Sequence, residues 1–270
     1  MPKSDSFIGV VILGKYSNYV LIATTMSGII ALVFSPLTSV VGHLCARGNK
    51  DEIRNWFDHF YCLNYILGII FFLGYYAVID SVVGLLFGPD VLMARQIAFI
   101  ITINQFTQYM RSSLILFRNA SGTFYNDRWK PVVEGVANLI LSLFFVVSFP
   151  YAYKVVGVIV ATIITTLAIC NIVEPYIVFH HVFGISAKKF YVRNYAYTGI
   201  FVICLILMDL LMRSYESQGM NLIVNGIISV GLSIGVLGTI SLMDNKFRTE
   251  VSLLLKKTVS YARRLISRLI

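Results

Sequence analysis

Two polar stripes in the middle of an apolar chain hold the side chains that could do chemistry. In the first, Asn104, Gln108, Arg111 and Arg118 are spaced by four, three and seven residues, which places them along one face of a helix. In the second, Glu134, Asn138 and Ser142 repeat at four-residue spacing. Between them runs the hairpin Asn126-Asp127-Arg128-Trp129-Lys130-Pro131. An arginine at the centre of a spanning helix costs roughly 2.5–3.5 kcal/mol on insertion scales, so it faces a bundle interior, a partner charge or a water-filled cavity. Arg111 therefore has two readings. It pairs with Glu134 and joins two helices, or its planar guanidinium meets an anionic group of a substrate in a hydrated cavity. The cavity set is then Arg111, Asn104, Gln108, Glu134 and Asn138. Arg118, Arg128 and Lys130 form a basic rim, read either as attracting phosphate or as ordinary topological anchors, and Trp129 reads as an interface anchor. No nucleophile with an orienting base, glycine loop for phosphate or metal-ligand spacing is visible, so neither an enzyme nor a cofactor or metal is expected.

These stripes have to be carried by membrane helices. Of 270 residues, 57% are hydrophobic and only 13% charged, with a mean hydropathy of +0.78. A soluble domain carries about 25% charged residues. The net charge of +9 is explained by basic residues between and after apolar runs, with no nucleic-acid patch. Cys45, Cys62, Cys170 and Cys204 are dispersed, which argues for free thiols rather than a disulfide framework or a metal site.

The fold expected is all-α: a polytopic bundle of about seven transmembrane helices plus a C-terminal amphipathic helix, since barrel-type alternation is absent. Phe7–Leu13 is too short to span and reads as the end of a helix whose beginning is missing, with residues 1–18 forming that stub and a loop. Spans are expected at Tyr19–Gly42, interrupted by Pro36, and at Phe60–Ile79, Ile97–Phe117, Val132–Phe149 and Val155–Phe179. Residues 19–180 thus hold a five-span bundle. Residues 181–243 add Tyr195–Met212 and Leu222–Met243. Ser81–Gly88, apolar but short and followed by Pro89, reads as an interfacial or re-entrant piece. Glu174-Pro175 reads as a helix break near the interface, followed by solvated His180 and His181. In the last span Gly231, Gly235 and Gly238 offer a close helix contact of the GxxxG type.

Lys and Arg set the orientation. The connections after spans one, three and five hold Arg47, Lys50, Arg54, then Arg118, Arg128, Lys130, then Lys188, Lys189, Arg193. Those after spans two, four and six hold Arg95, Lys154 and Arg213. The richer side is cytoplasmic by the positive-inside rule, so the amino end is outside and the C-terminus inside. In the tail, residues 244–270, Val251, Leu254, Leu255, Val259, Ala262, Leu265, Ile266 and Leu269 face away from Lys256, Lys257, Arg263, Arg264 and Arg268. Such a helix lies on an anionic leaflet, with a calmodulin-like partner as the alternative.

The tracts FIGVVILGKYSNYVLI, SPLTSVVGHLCARGNKDEIRNWF, LLFGPD, DRWKPVVEGVANLILSL and VVGVIVATIITT, followed by EPYIVFHHVF, come in an order that resembles the second half of the polysaccharide flippases of the multidrug/oligosaccharidyl-lipid/polysaccharide exporter superfamily. The resemblance covers most of Phe7–Tyr197. It implies the second lobe of a two-lobe exporter fold in the plasma membrane, with the spans corresponding to helices eight to fourteen of fourteen. It also implies transport of a lipid-linked oligosaccharide repeat unit for cell-surface polysaccharide. The sequence departs from the family in lacking the first lobe and the Asp usual before the FIGVVILG-like run, where MPKSDS stands. Partners implied are the lipid bilayer, the lipid-linked substrate, and a missing N-terminal half or a second copy. Competing readings are half of a cation-coupled multidrug exporter, a non-transporting fragment, a subunit of a split transporter, and a seven-helix receptor. The last is disfavoured because no cysteine ties the outer loops.

Overall fold

The computed structural model describes residues 2–150, 153–212, 217–245 and 247–253, and among these there is no strand. The described residues include ten α-helices: α1 Pro2–Phe34, α2 Leu37–Arg47, α3 Lys50–Phe87, α4 Arg95–Met110, α5 Ser112–Ala120, α6 Lys130–Ser148, α7 Lys154–Thr165, α8 Asn171–Ile177, α9 Lys188–Leu211 and α10 Gln218–Met243. Two π-helical segments, Thr166–Cys170 and Val178–Phe183, join α7 and α8 into one rod from Lys154 to Phe183. Five helical stretches are long and apolar enough to cross a membrane: Lys50–Phe87, Thr123–Ser148, Lys154–Phe183, Lys188–Leu211 and Gly219–Leu242. Val11–Leu32 and Leu37–Arg47 meet the same test as a pair bent by 50°.

Local chemistry accounts for the breaks. Pro36 has no N–H to donate, and the chain bends there between α1 and α2. Gly48 ends α2 at φ 76°, a left-handed conformation a side chain would strain. One residue on, Asn49 caps α3 by accepting from the Glu52 N–H, and Asp51 and Glu52 suit the positive end of that helix.

Four expectations are corrected. Residues 1–18 do not form a separate stub and loop, because nothing in Gly14-Lys15-Tyr16 removes a backbone hydrogen bond and α1 runs through them into the first span. Ser81–Gly88 is no re-entrant piece: all but its last glycine completes α3, which stops only where Gly88 adopts φ 91°. The expected span Ile97–Phe117 is divided at Arg111 into α4 and α5. The helix also passes through Pro175, whose lost hydrogen bond falls between the two π segments, where the ladder is already re-registered. His180 and His181 are exposed, as expected. The four cysteines are free thiols. The tail pattern falls largely on residues 254–270, outside the described residues; residues 247–253 are helical.

Packing brings the basic connections to one end of the molecule. Phe57 near the start of α3 meets Phe117 of α5, Phe179 and Phe183 of the second π segment, and Phe190 of α9, with ring centroids 5.2–5.6 Å apart. Each such aromatic pair contributes about 0.5–1.5 kcal/mol beyond the area it buries. At the opposite end Tyr19 of α1 donates to Asp80 of α3 at 2.6 Å, and Arg95 of α4 pairs with Asp209 of α9 at 2.6 Å.

The last helix does not use its glycines as the spacing suggested. A Cβ at Gly231, Gly235 or Gly238 would meet nothing within 4 Å. α10 instead lays a stripe of buried Asn225, Ser229, Ser233, Val236 and Ile240 against the bundle, with Ser229 beside Gly74 of α3. Polar small residues permit the close approach, and the glycines fall on the opposite face. At the other extreme, α6 buries none of its residues beyond Lys130 in its first turn. α6 packs on α7, where a Cβ on Gly157 would lie 2.9 Å from the Phe145 Cβ.

Candidate functional site

The two polar stripes meet, together with a third that the sequence reading passed over. Arg111 sits at the break between α4 and α5, just before Ser112 and Ser113, and its side chain turns inward toward α8. Its Nε and Nη2 donate to the two carboxylate oxygens of Glu174 at 3.1 and 2.6 Å, a bidentate fork. Lys130, in the first turn of α6, donates to Glu174 Oε1 at 2.6 Å and lies 3.1 Å from Glu134, one helical turn further on. Arg111 Nη1 is 3.9 Å from Glu134. Two cations and two carboxylates therefore close on each other. The Glu174 side chain is 1% exposed and Lys130 5%.

The sequence places Glu174 at an interface beside a broken helix. It is instead the centre of the cluster, because α8 does not break and its turn faces Arg111 and Lys130. The signal was present: Thr166, Cys170 and Glu174 stand at four-residue spacing, the pattern that marked the other two stripes. All three make contacts there. Gln108 donates to the Thr166 hydroxyl at 2.8 Å while its carbonyl accepts from Arg111 at 2.6 Å, and the Cys170 thiol donates to Glu134.

Glu134, read as the partner of Arg111, is the more distant of its two carboxylates and is held chiefly by Lys130. Lys130 in turn, grouped with the basic rim, belongs to the buried cluster. Asn138 donates to Thr162 and Thr165 of α7 at 3.2 Å each and fastens α6 to α7. Asn104 contributes a buried Oδ1 with no partner among the described residues. Arg118 pairs with Asp127 and secures the turn Thr123–Asp127. Arg128 lies over the Tyr125 ring at 4.6 Å on the surface, and Trp129 is exposed.

A cavity of about 430 Å³ lies beside the cluster, between α1 and α2 on one side and α4 and α5 on the other. Its polar lining comes from Ser27, Ser35, Thr38, Gln105, Gln108, Ser112 and Asn119, and its apolar lining from Ile30, Ala31, Ile115 and Leu116 together with Tyr109. The exposed Ala31 and Ser35 mark its open side. Of the five cavity candidates, Gln108 lines it; Arg111 stands behind Gln108, and Asn104, Glu134 and Asn138 are elsewhere. Gln105 and Asn119, which do line it, were passed over because they fall off the stripe of Arg111. Chemically, the cavity wall is mainly apolar, with hydroxyls and amides set into it, so it can receive apolar atoms and hydrogen-bond a polar uncharged group such as a sugar at a few points. The four-charge cluster can hold helices in register and orient Gln108. Among the described residues no group of three or more His, Cys, Asp and Glu is placed to hold a metal ion.

Comparison with protein-family models, with curated proteins and with solved structures finds no match for this chain.

Proposed function

We propose that this chain is a membrane transport protein of the flippase type, handling lipid-linked oligosaccharide repeat units for export to the cell surface. The observation that carries the reading is the cavity between α1, α2, α4 and α5, whose polar lining is made of hydroxyls and amides in a chain of apolar helices. Sugar hydroxyls are both donors and acceptors, and Gln105, Gln108 and Asn119 answer both roles. The bent α1–α2 pair and the α4–α5 pair, each counted as one crossing, join the five continuous stretches to make the seven spans. The basic end is the cytoplasmic face of the plasma membrane, and the C-terminus lies there. Arg111 reaches the cavity through Gln108, so a pyrophosphate is met by the guanidinium only as Glu174 gives way. A second lobe, as a separate chain or a second copy, supplies the other wall.

The test uses cells deleted for their own repeat-unit flippase. With the partner half co-expressed, this chain should restore surface polysaccharide. Gln105→Leu with Asn119→Leu should lower it about tenfold, as expected from losing roughly 1.4 kcal/mol of hydrogen bonding, with membrane abundance unchanged. Full polysaccharide from a variant whose cavity is filled by Ser112→Phe would overturn the reading.

A further inference from the structure

A second pocket, of about 320 Å³, opens at the basic end of the bundle and does not depend on the transport reading. Arg54 comes from the second turn of α3, and Lys189 and Arg193 from the first turns of α9. Phe179 and Phe190 give it an apolar floor, and Asp58 and Asp244 complete the lining. The acids are engaged: Asp58 accepts from Arg193 at 2.8 Å, and Asp244 accepts from the Tyr197 hydroxyl at 2.8 Å and from the Phe247 N–H at 3.2 Å. Arg54 and Lys189 form no ion pair among the described residues. The lining therefore holds three cations against two carboxylates, with Arg54 and Lys189 outside any described ion pair. α9 begins at its wall, and Ala187 provides no side-chain cap, so the positive end of that helix adds to the field. Trp56, two residues from Arg54, is partly exposed, a residue type enriched where a membrane surface meets a protein.

We infer that this pocket binds one phosphate-bearing anion, taken from a lipid headgroup or from solution. Arg54 and Lys189 supply the charge, and Phe179 and Phe190 receive the apolar atoms next to the phosphate. Basic pockets between membrane helices on the basic side suit such headgroups.

The experiment uses the full chain, delipidated in a nonionic detergent. Native mass spectrometry tracks added phosphatidylglycerol, phosphatidylcholine and inorganic phosphate. One phosphatidylglycerol should bind, at least tenfold more tightly than phosphatidylcholine. Arg54→Gln with Lys189→Gln should weaken it roughly thirtyfold, from two surface charges acting together. The swapped pair Arg54→Lys with Lys189→Arg should retain binding, and Arg128→Gln with Lys188→Gln, on the same face but outside the pocket, should leave it within twofold. Displacement by inorganic phosphate assigns the site to free phosphate; lipid binding that phosphate does not disturb assigns it to a headgroup. Wild-type binding by the double Gln variant overturns the proposal, as does equal weakening by the variant outside the pocket or no binding of either anion.

Discussion

The cluster around Glu174 and the pocket around Arg54 contain similar charges, yet one is closed and the other open. In the first, Arg111 and Lys130 converge on one carboxylate, with Glu134 completing the balance. In the second, Arg193 has its Asp58, while Arg54 and Lys189 form no described ion pair and share the pocket with a single further carboxylate, Asp244. Burial explains the contrast. Two cations withdrawn from water must be matched within hydrogen-bond reach, whereas cations at a wet rim need no such match.

Glu174→Gln puts the contrast to its most severe test. It leaves Arg111 and Lys130 buried with one remaining carboxylate and should cost about 3–5 kcal/mol, the usual penalty for an uncompensated buried charge. A fall of many degrees in the thermal midpoint of the detergent-purified protein is expected; an unchanged midpoint would mean that the cluster is not the closed unit seen here. Next in size is a pair of double-mutant cycles. Arg111 with Glu174 should couple by about 1–3 kcal/mol and Arg111 with Glu134 by less than about 1 kcal/mol, because only the first pair makes a fork. Equal coupling energies would restore Glu134 as the principal partner. A comparable test of packing is Gly157→Ala, which drives a methyl into Phe145 and should cost about 1–3 kcal/mol, while Gly231→Ala should stay within about 0.5 kcal/mol. The smallest effect expected is that of Arg54→Gln on stability, within about 0.5 kcal/mol, since no described ion pair is lost. A large loss there would erase the distinction between the two regions.

Much of the helical framework can be read from apolar runs alone, because a backbone without water has to satisfy itself within each helix. The polar stripes also led correctly to Arg111, Gln108 and Glu134 as neighbours. What the runs do not reveal is which carboxylate closes on Arg111. Pro175 suggests a break after Glu174, whereas the helix continues through it between two π segments and that turn faces inward. Nor does an apolar run distinguish α3, more than half buried along its apolar stretch, from α6, whose apolar stretch after Lys130 is not buried at all. Both look alike to hydropathy, since lipid and protein interior select the same side chains. Gln105 and Asn119 needed the bend at Pro36 to become walls of a cavity, and a bend angle is set by tertiary contacts.

The two π segments have a consequence for how this chain would line up with any relative. Each is one turn of α-helix widened by a residue, and an added residue turns everything beyond it by about 100° about the axis. Glu174 lies beyond the first of these steps. A chain with a plain α-helix in that stretch would be one residue shorter between Thr166 and Cys170 and would reach the same carboxylate position by a gap. Column-by-column matching through that segment would then set Glu174 opposite a neighbour of its true counterpart.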